Sequence, residues 1–248
     1  MSDVVEFRDR VENPDRFLET CEGGDIGTPD EPSIWVIGQE PGWSKANEYA
    51  DGLSEAAGEA YRAKVAIYSI ELQLTWPYNR AIFQILAALS GGSVRDFRKF
   101  AMQARPFEKG YSGYFKGNLF PEPFNKIGSW DDEARSMTGF NSKEEYRAWI
   151  RGVRFPIFQS RVEVHRPKLL IGVGLQNLDD FLEVAQSDQS VDEHIFEVNG
   201  HSKRLYLSRR GIVPLAVLPH VSSGAHGLNS YRSREVAAEL IKGIVELA

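Results

Sequence analysis

Two groups in this chain have neighbours that suit them to chemistry, the carboxylate of Glu40 and the imidazole of His220. Glu40 lies in Gly38-Gln39-Glu40-Pro41-Gly42, directly after the apolar run Ile34–Ile37. Glycine on both sides of a proline makes a tight turn whose backbone can approach a ligand closely. His220 stands in Pro219-His220-Val221-Ser222-Ser223-Gly224, after the apolar run Ile212–Leu218 and among small hydroxyl residues. A carboxylate and an imidazole facing each other across a cleft can do general-base work and stabilise an anion. The plainer alternatives are a solvated acid in an ordinary β-to-α connection and a histidine that serves only the fold.

Strands have to hold these groups at one edge. Ile34–Ile37 is a short apolar run bounded by glycine, too brief for a helix, and reads as a buried strand. Arg166–Gly174 contains a second such run, which suits a parallel sheet covered on both faces, and Ile212–Leu218 is a third. His194–Val198 and Arg204–Leu207 flank Asn199-Gly200, a strong hairpin signal. Helices are expected over Leu53–Leu74, Asn79–Leu89, Lys143–Val164 with an interruption at Pro156, Asn177–Ala185, and a last one capped by Ser233. A short helix is expected near Pro14–Cys21 and a short strand around 123–127, while residues 93–120 look irregular. Strands alternating with helices predict a single α/β domain over residues 1–248, a three-layer α/β/α sandwich with a central, mostly parallel sheet. Ligands of such sheets bind outside the carboxyl ends of the strands, where Glu40 and His220 both fall.

Composition narrows the class. The chain has 248 residues, 42% hydrophobic and 11% aromatic, enough for a sizeable core. No apolar run approaches the roughly 18 residues that a membrane span needs, and the acidic N-terminus is unlike a signal peptide, so no membrane partner is expected. The single cysteine, Cys21, excludes an internal disulfide, a cysteine-ligated zinc site and a four-cysteine iron–sulfur cluster, and a reducing cytoplasm is the simplest home. The net charge of -6 is unevenly spread. Residues 1–60 carry fifteen Asp/Glu and four Lys/Arg, whereas Arg147–Lys168 has six basic residues and one acid. Phosphate contacts need such local patches rather than a basic total, although charge runs are usually solvated faces.

Several motifs, in order, resemble the uracil-DNA glycosylase superfamily. Gly38-Gln39-Glu40-Pro41-Gly42 resembles the first motif, which begins Gly-Gln-Asp-Pro in one branch and reads Gly-x-x-Pro-Gly in the mismatch-specific, single-strand-selective and thermophilic branches. Thr75-Trp-Pro-Tyr-Asn-Arg-Ala81 before an apolar helix resembles the segment that stacks an aromatic ring on an extruded base. Phe124-Asn125-Lys126 resembles the short strand whose Asn reads a pyrimidine edge, Arg166–Gly174 the core strand, and His220-Val-Ser222 the closing His-Pro-Ser motif. Together they cover roughly residues 33–245. The departures are Glu for Asp at position 40, Val221 for the usual proline, no apolar wedge where Gly224 stands, and about 35 residues between Gly42 and Tyr78. That spacing implies a helical insertion over 43–75, and residues 1–32 form an acidic N-terminal extension.

The resemblance implies a monofunctional DNA glycosylase, acting on DNA as a monomer without metal or organic cofactor. Glu40 would position or deprotonate the attacking water and His220 would donate to the base O2 as charge develops there. Gly38, Gln39, Pro41 and Gly42 would line the pocket, Tyr78 would stack on the base, and Asn125 would read its edge. Ser222, Ser223 and Gly224 would meet DNA, with Leu228 the nearest candidate to fill the vacated stack. One branch carries Tyr where Gly42 stands, a wall that excludes thymine. Glycine there admits uracil or a bulkier modified pyrimidine, and the second would imply a role in defence against phage. A non-catalytic nucleic-acid-binding relative and an unrelated α/β enzyme acting on a small nucleotide are the other classes. No P-loop or nucleophile-elbow signature supports the last.

Overall fold

The computed structural model describes residues 3–41, 68–122, 130, 132–188 and 190–245. Among these, seven strands form one mixed sheet: β1 (Gly23–Gly24), β2 (Ile34–Gly38), β3 (Tyr114–Asn118), β4 (Leu169–Val173), β5 (Asp192–Val198), β6 (His201–Ser208) and β7 (Leu215–Leu218). Their spatial order is β1-β3-β2-β4-β7-β6-β5. The central four, β3-β2-β4-β7, run parallel, and β1, β6 and β5 extend the sheet antiparallel at its sides. The carboxyl ends of four parallel strands therefore share one edge, ending in Gly38, Asn118, Val173 and Leu218.

β2 and β4 are buried at every position, as strands covered on both faces must be. Alternation divides β2 between two cores: Trp35 and Ile37 join Phe17, Phe115, Phe158 and Leu170 on one face, and Ile34 and Val36 join Ile82, Leu86 and Ile171 on the other. Helices α1 (Asp3–Glu12), α6 (Lys143–His165) and α7 (Leu178–Val184) bury apolar residues in the first core. Helices α3 (Pro77–Leu89), α4 (Phe97–Ala104) and α8 (Tyr231–Val245) do so in the second. Helices α2 (Ile70–Gln73) and α5 (Asp132–Thr138) complete the described α-helices, and the short helix expected near Pro14–Cys21 is a 3-10 helix over Pro14–Thr20. The result is an α/β chain with helices on both sides of a sheet.

Several local expectations need correction. Residues 93–120 are not irregular: they hold α4 and the whole of β3. The N-terminal stretch is built into the fold, with α1 in the first core and β1 paired to β3. The last helix starts at Tyr231, and its cap is Ser230, whose Oγ accepts from the Ser233 N–H. Ser233 Oγ accepts in return from the Ser230 N–H, a reciprocal pair that ties off two free donors. Residues 53–67 of the expected Leu53–Leu74 helix, the insertion up to residue 67, and the strand expected over 123–127 lie outside the described residues. The hairpin is as expected, Asn199 and Gly200 both adopting positive φ (55° and 72°) at the β5–β6 turn.

Helix α6 runs unbroken through Pro156. Proline lacks the N–H that would bond the Gly152 carbonyl four residues back, and its ring crowds that carbonyl. Both residues are exposed, so Pro156→Ala is expected to raise stability by about 2 kcal/mol, read from the urea midpoint at constant slope.

Candidate functional site

Gly38 and Asn118 are register partners at the ends of β2 and β3. A Cβ at Gly38 would lie 2.4 Å from Asn118 Oδ1, so glycine gives that side chain its room, and the Tyr78 hydroxyl lies 3.8 Å from the same point. The strand pair continues past its formal end, Leu119 N–H donating to the Gly38 carbonyl and Phe120 N–H to that of Gln39. This fixes the start of the 38–42 turn. Gln39 points toward the end of β4, accepting from Gln176 at 2.6 Å. Pro41 lines a cavity of about 180 Å³ together with Arg10, Glu22, Asn118 and Glu122. Gly42 and Asn125 lie outside the described residues.

Glu40 turns away toward α6. The Lys143 ammonium sits 3.0 Å from its Oε1 and 2.9 Å from its Oε2, with the Arg147 guanidinium at 3.7 Å, and the carboxylate is almost fully buried. Among the described residues no hydrogen bond or ion pair connects Glu40 with His220. The two share the strand-end edge but hold different company, Glu40 the helix of the first core and His220 the aromatic of the second.

His220 follows β7. The Ser222 backbone N–H donates to its Nδ1 at 3.3 Å, and an amide can only donate, so Nδ1 is the unprotonated nitrogen. The Ser223 hydroxyl at 2.9 Å then donates as well, and the ring proton resides on Nε2. Ser222 and Ser223 thus set the histidine's tautomer. The ring meets Tyr78 edge-on, centroids 6.3 Å apart, and partial burial depresses its pKa below the usual 6.5. Since the folded pKa is the lower one, the neutral ring with Nε2–H persists as pH falls through 6.5 and is lost only below it. The ¹⁵N shifts of the His220 ring are expected to show the Nε2–H tautomer at pH 6.5, and an imidazolium there would contradict this geometry.

Tyr78 occupies the first turn of α3, where Pro77 opens the helix without sacrificing a bonded N–H. Its hydroxyl is buried with no hydrogen-bond partner among the described residues, and burial together with the nearby Glu22 carboxylate pushes its pKa well up. One face of the ring carries the Lys116 ammonium, 5.0 Å from the centroid. Lys116 in turn bonds Glu22 (2.6 Å), the Tyr68 hydroxyl (2.6 Å) and Asn79 Oδ1 (2.9 Å). Glu22 also accepts from Tyr68 at 2.5 Å and from Asn118 Nδ2 at 2.7 Å. Burial opposes its ionisation, but Lys116 and these donors outweigh burial and hold its pKa below the usual carboxylate value. Asn79 passes on to Gln73, which donates to the Tyr68 and Pro106 carbonyls. Fully buried Arg154 supports the same corner, donating to Thr20 Oγ1, the Thr20 carbonyl and the Asn118 carbonyl.

The structure therefore gathers Gly38, Tyr78 and His220, and adds Asn118, Glu22 and Lys116, which sequence reasoning missed. The signal for Asn118 was its place at the end of a strand, hidden because β3 went unrecognised. The wedge assignment to Leu228 is withdrawn: its side chain is fully buried in the second core, and its N–H is spent on the His220 carbonyl. Gly224 is exposed with φ at 80°. A larger cavity, about 520 Å³, opens near Asp192, His194, Arg209, Arg210 and Glu239. Ser208 pairs with Leu215, the first residue of β7, so this cavity lies at the opposite edge of the sheet. Among the described residues no group of three or more His, Cys, Asp or Glu is placed to hold a metal ion, and no helix is long and apolar enough to cross a membrane. No protein-family model matches this chain, and no curated protein does either.

Proposed function

We propose that this protein is a DNA glycosylase that extrudes a pyrimidine nucleotide and hydrolyses its N-glycosidic bond. The observation that carries the reading is Tyr78 at the carboxyl edge of a parallel sheet, its hydroxyl beside Asn118 above Gly38 and its ring edge-on to a neutral, Nε2-protonated His220. An extruded base needs a ring to lie against, an amide for its edge and a donor for its departing charge. Tyr78, Asn118 and His220 supply them, with Asn118 taking the edge-reading role first assigned to Asn125. The Nε2–H donor stabilises the base O2 as negative charge grows there, a preorganised contact that strengthens in the transition state. Ser222 and Ser223 act through the ring, and the exposed Gly224 faces the DNA.

Glu40 is assigned to the sugar side. Lys143 and Arg147 hold the carboxylate but leave some of its roughly four lone-pair sites free to orient a water. Its negative charge also offsets the oxocarbenium-like sugar. Catalysis draws on no metal or organic cofactor in this scheme, and the chain acts as a monomer. The test is a panel of duplexes and single strands carrying uracil, mismatched thymine or modified cytosines, scored for alkali-labile abasic sites. Cleavage of at least one, reduced in both Glu40→Ala and His220→Ala, is the expected result. Cleavage of none rejects the reading.

The Glu40–Lys143 pair favours one alternative, a DNA-binding relative of the same fold without chemistry, because a carboxylate shared with two cations is poorly free to act on water. Binding to every duplex of the panel with no abasic product would select it.

A further inference from the structure

We propose that Glu22 is a positioning residue that locks the carboxamide of Asn118 and thereby decides which pyrimidine edge the site accepts. The inference rests on the glycosylase reading for its substrate, but the lock itself is a property of the free protein. Asn118 Nδ2 donates to Glu22 Oε1 at 2.7 Å. Turning the amide over would bring Oδ1 against a carboxylate, exchanging a charge-assisted hydrogen bond for two facing acceptors. Glu22 cannot swing aside, because Lys116 and Tyr68 hold its other oxygen at 2.6 and 2.5 Å. Those partners are held in turn by Asn79 and Gln73 within the buried network. Among the described residues nothing donates to Asn118 Oδ1. It faces the space above Gly38, beside the buried Tyr78 hydroxyl.

An unrestrained asparagine offers a donor and an acceptor side by side and can reverse them by flipping. The edges of uracil and cytosine differ in that order: N3–H with an O4 acceptor in the first, an N3 acceptor with an N4 amino donor in the second. A freely flipping amide reads both, and a locked one reads a single pattern. The class of substrate is then set by the group at ring position 4, and a substituent at position 5 leaves the preference untouched.

The experiment compares single-turnover excision from duplexes carrying uracil, cytosine, 5-hydroxymethyluracil and 5-hydroxymethylcytosine. The wild-type chain is expected to favour one of the 4-oxo and 4-amino classes by about tenfold or more, with the same sign in both pairs. Glu22→Gln, whose amide satisfies either orientation of Asn118, is expected to cut that ratio about tenfold while the better substrate is still cleaved. A ratio unchanged in a folded Glu22→Gln overturns the inference while the glycosylase reading stands. Should that variant not fold, the wild-type chain decides through its ¹⁵N-labelled side chains. The Asn118 NH₂ protons are expected to be resolved and slow to exchange, and fast exchange overturns the lock. Slow exchange with no cleavage of any duplex leaves the lock in place and rejects the glycosylase reading.

Discussion

His220→Ala is expected to slow single-turnover base excision by about 10²–10³ with little change in stability, the cost typical of removing one preorganised donor to a developing anion. His220 is only partly buried at the end of β7, and the hydrogen bonds of its ring run to its own loop, so its loss opens no core. KM for the DNA should move little, because the contact matures only as the bond breaks. Ser223→Ala is the informative companion. It removes one of two donors to Nδ1 and keeps the ring, so it should cost far less than the alanine at 220 yet make the rate more sensitive to pH near 6.5. Equal rates for His220→Ala and the wild type on a cleaved substrate would remove the histidine from the mechanism.

Lys116→Met is the stability counterpart. It strips the ammonium from a partly buried carboxylate and leaves Glu22 with neutral donors only, a change that costs up to about 3–5 kcal/mol. For a chain of this size the melting temperature should fall by roughly 6–20 °C. The sign with pH follows from Glu22. Its folded pKa is depressed, so the pair's contribution is present above the unfolded carboxylate value, near 4.3, and fades as pH falls through the lower folded value. The penalty of Lys116→Met should therefore be largest near neutrality and shrink below about pH 4. Adding Glu22→Gln to Lys116→Met should recover a large part of the loss, since no unpaired charge then remains buried. Additive losses in that cycle, from urea midpoints, would contradict the coupling.

The parts of this fold that announce themselves locally were legible. β2, β4 and β7 are apolar runs, and Asn199-Gly200 carries its own turn chemistry. β3 was not, because Tyr114-Phe-Lys-Gly-Asn118 has a charged residue, a glycine and an amide in five positions. Lys116 becomes a strand-interior residue only through Glu22, and Asn118 is held by the same carboxylate, 96 positions earlier in the chain. No local pattern encodes such a pairing. The failure at Leu228 has the same origin: an apolar residue in a polar loop reads as exposed unless the loop is known to fold back on its own strand. Glu40 and His220 were found as strand-end residues, while the cations that hold the first and the serines that set the proton on the second emerge only in three dimensions.

The first two dozen residues carry a consequence for how this protein tolerates trimming. Acidity makes them look like a dispensable leader, yet β1 closes one side of the sheet beside β3, Thr20 receives Arg154, and Glu22 anchors Asn118. A chain beginning at residue 25 would lack an edge strand of its sheet and the carboxylate that pairs with the buried Lys116. Shortening from this end should therefore destabilise the fold rather than merely remove charge.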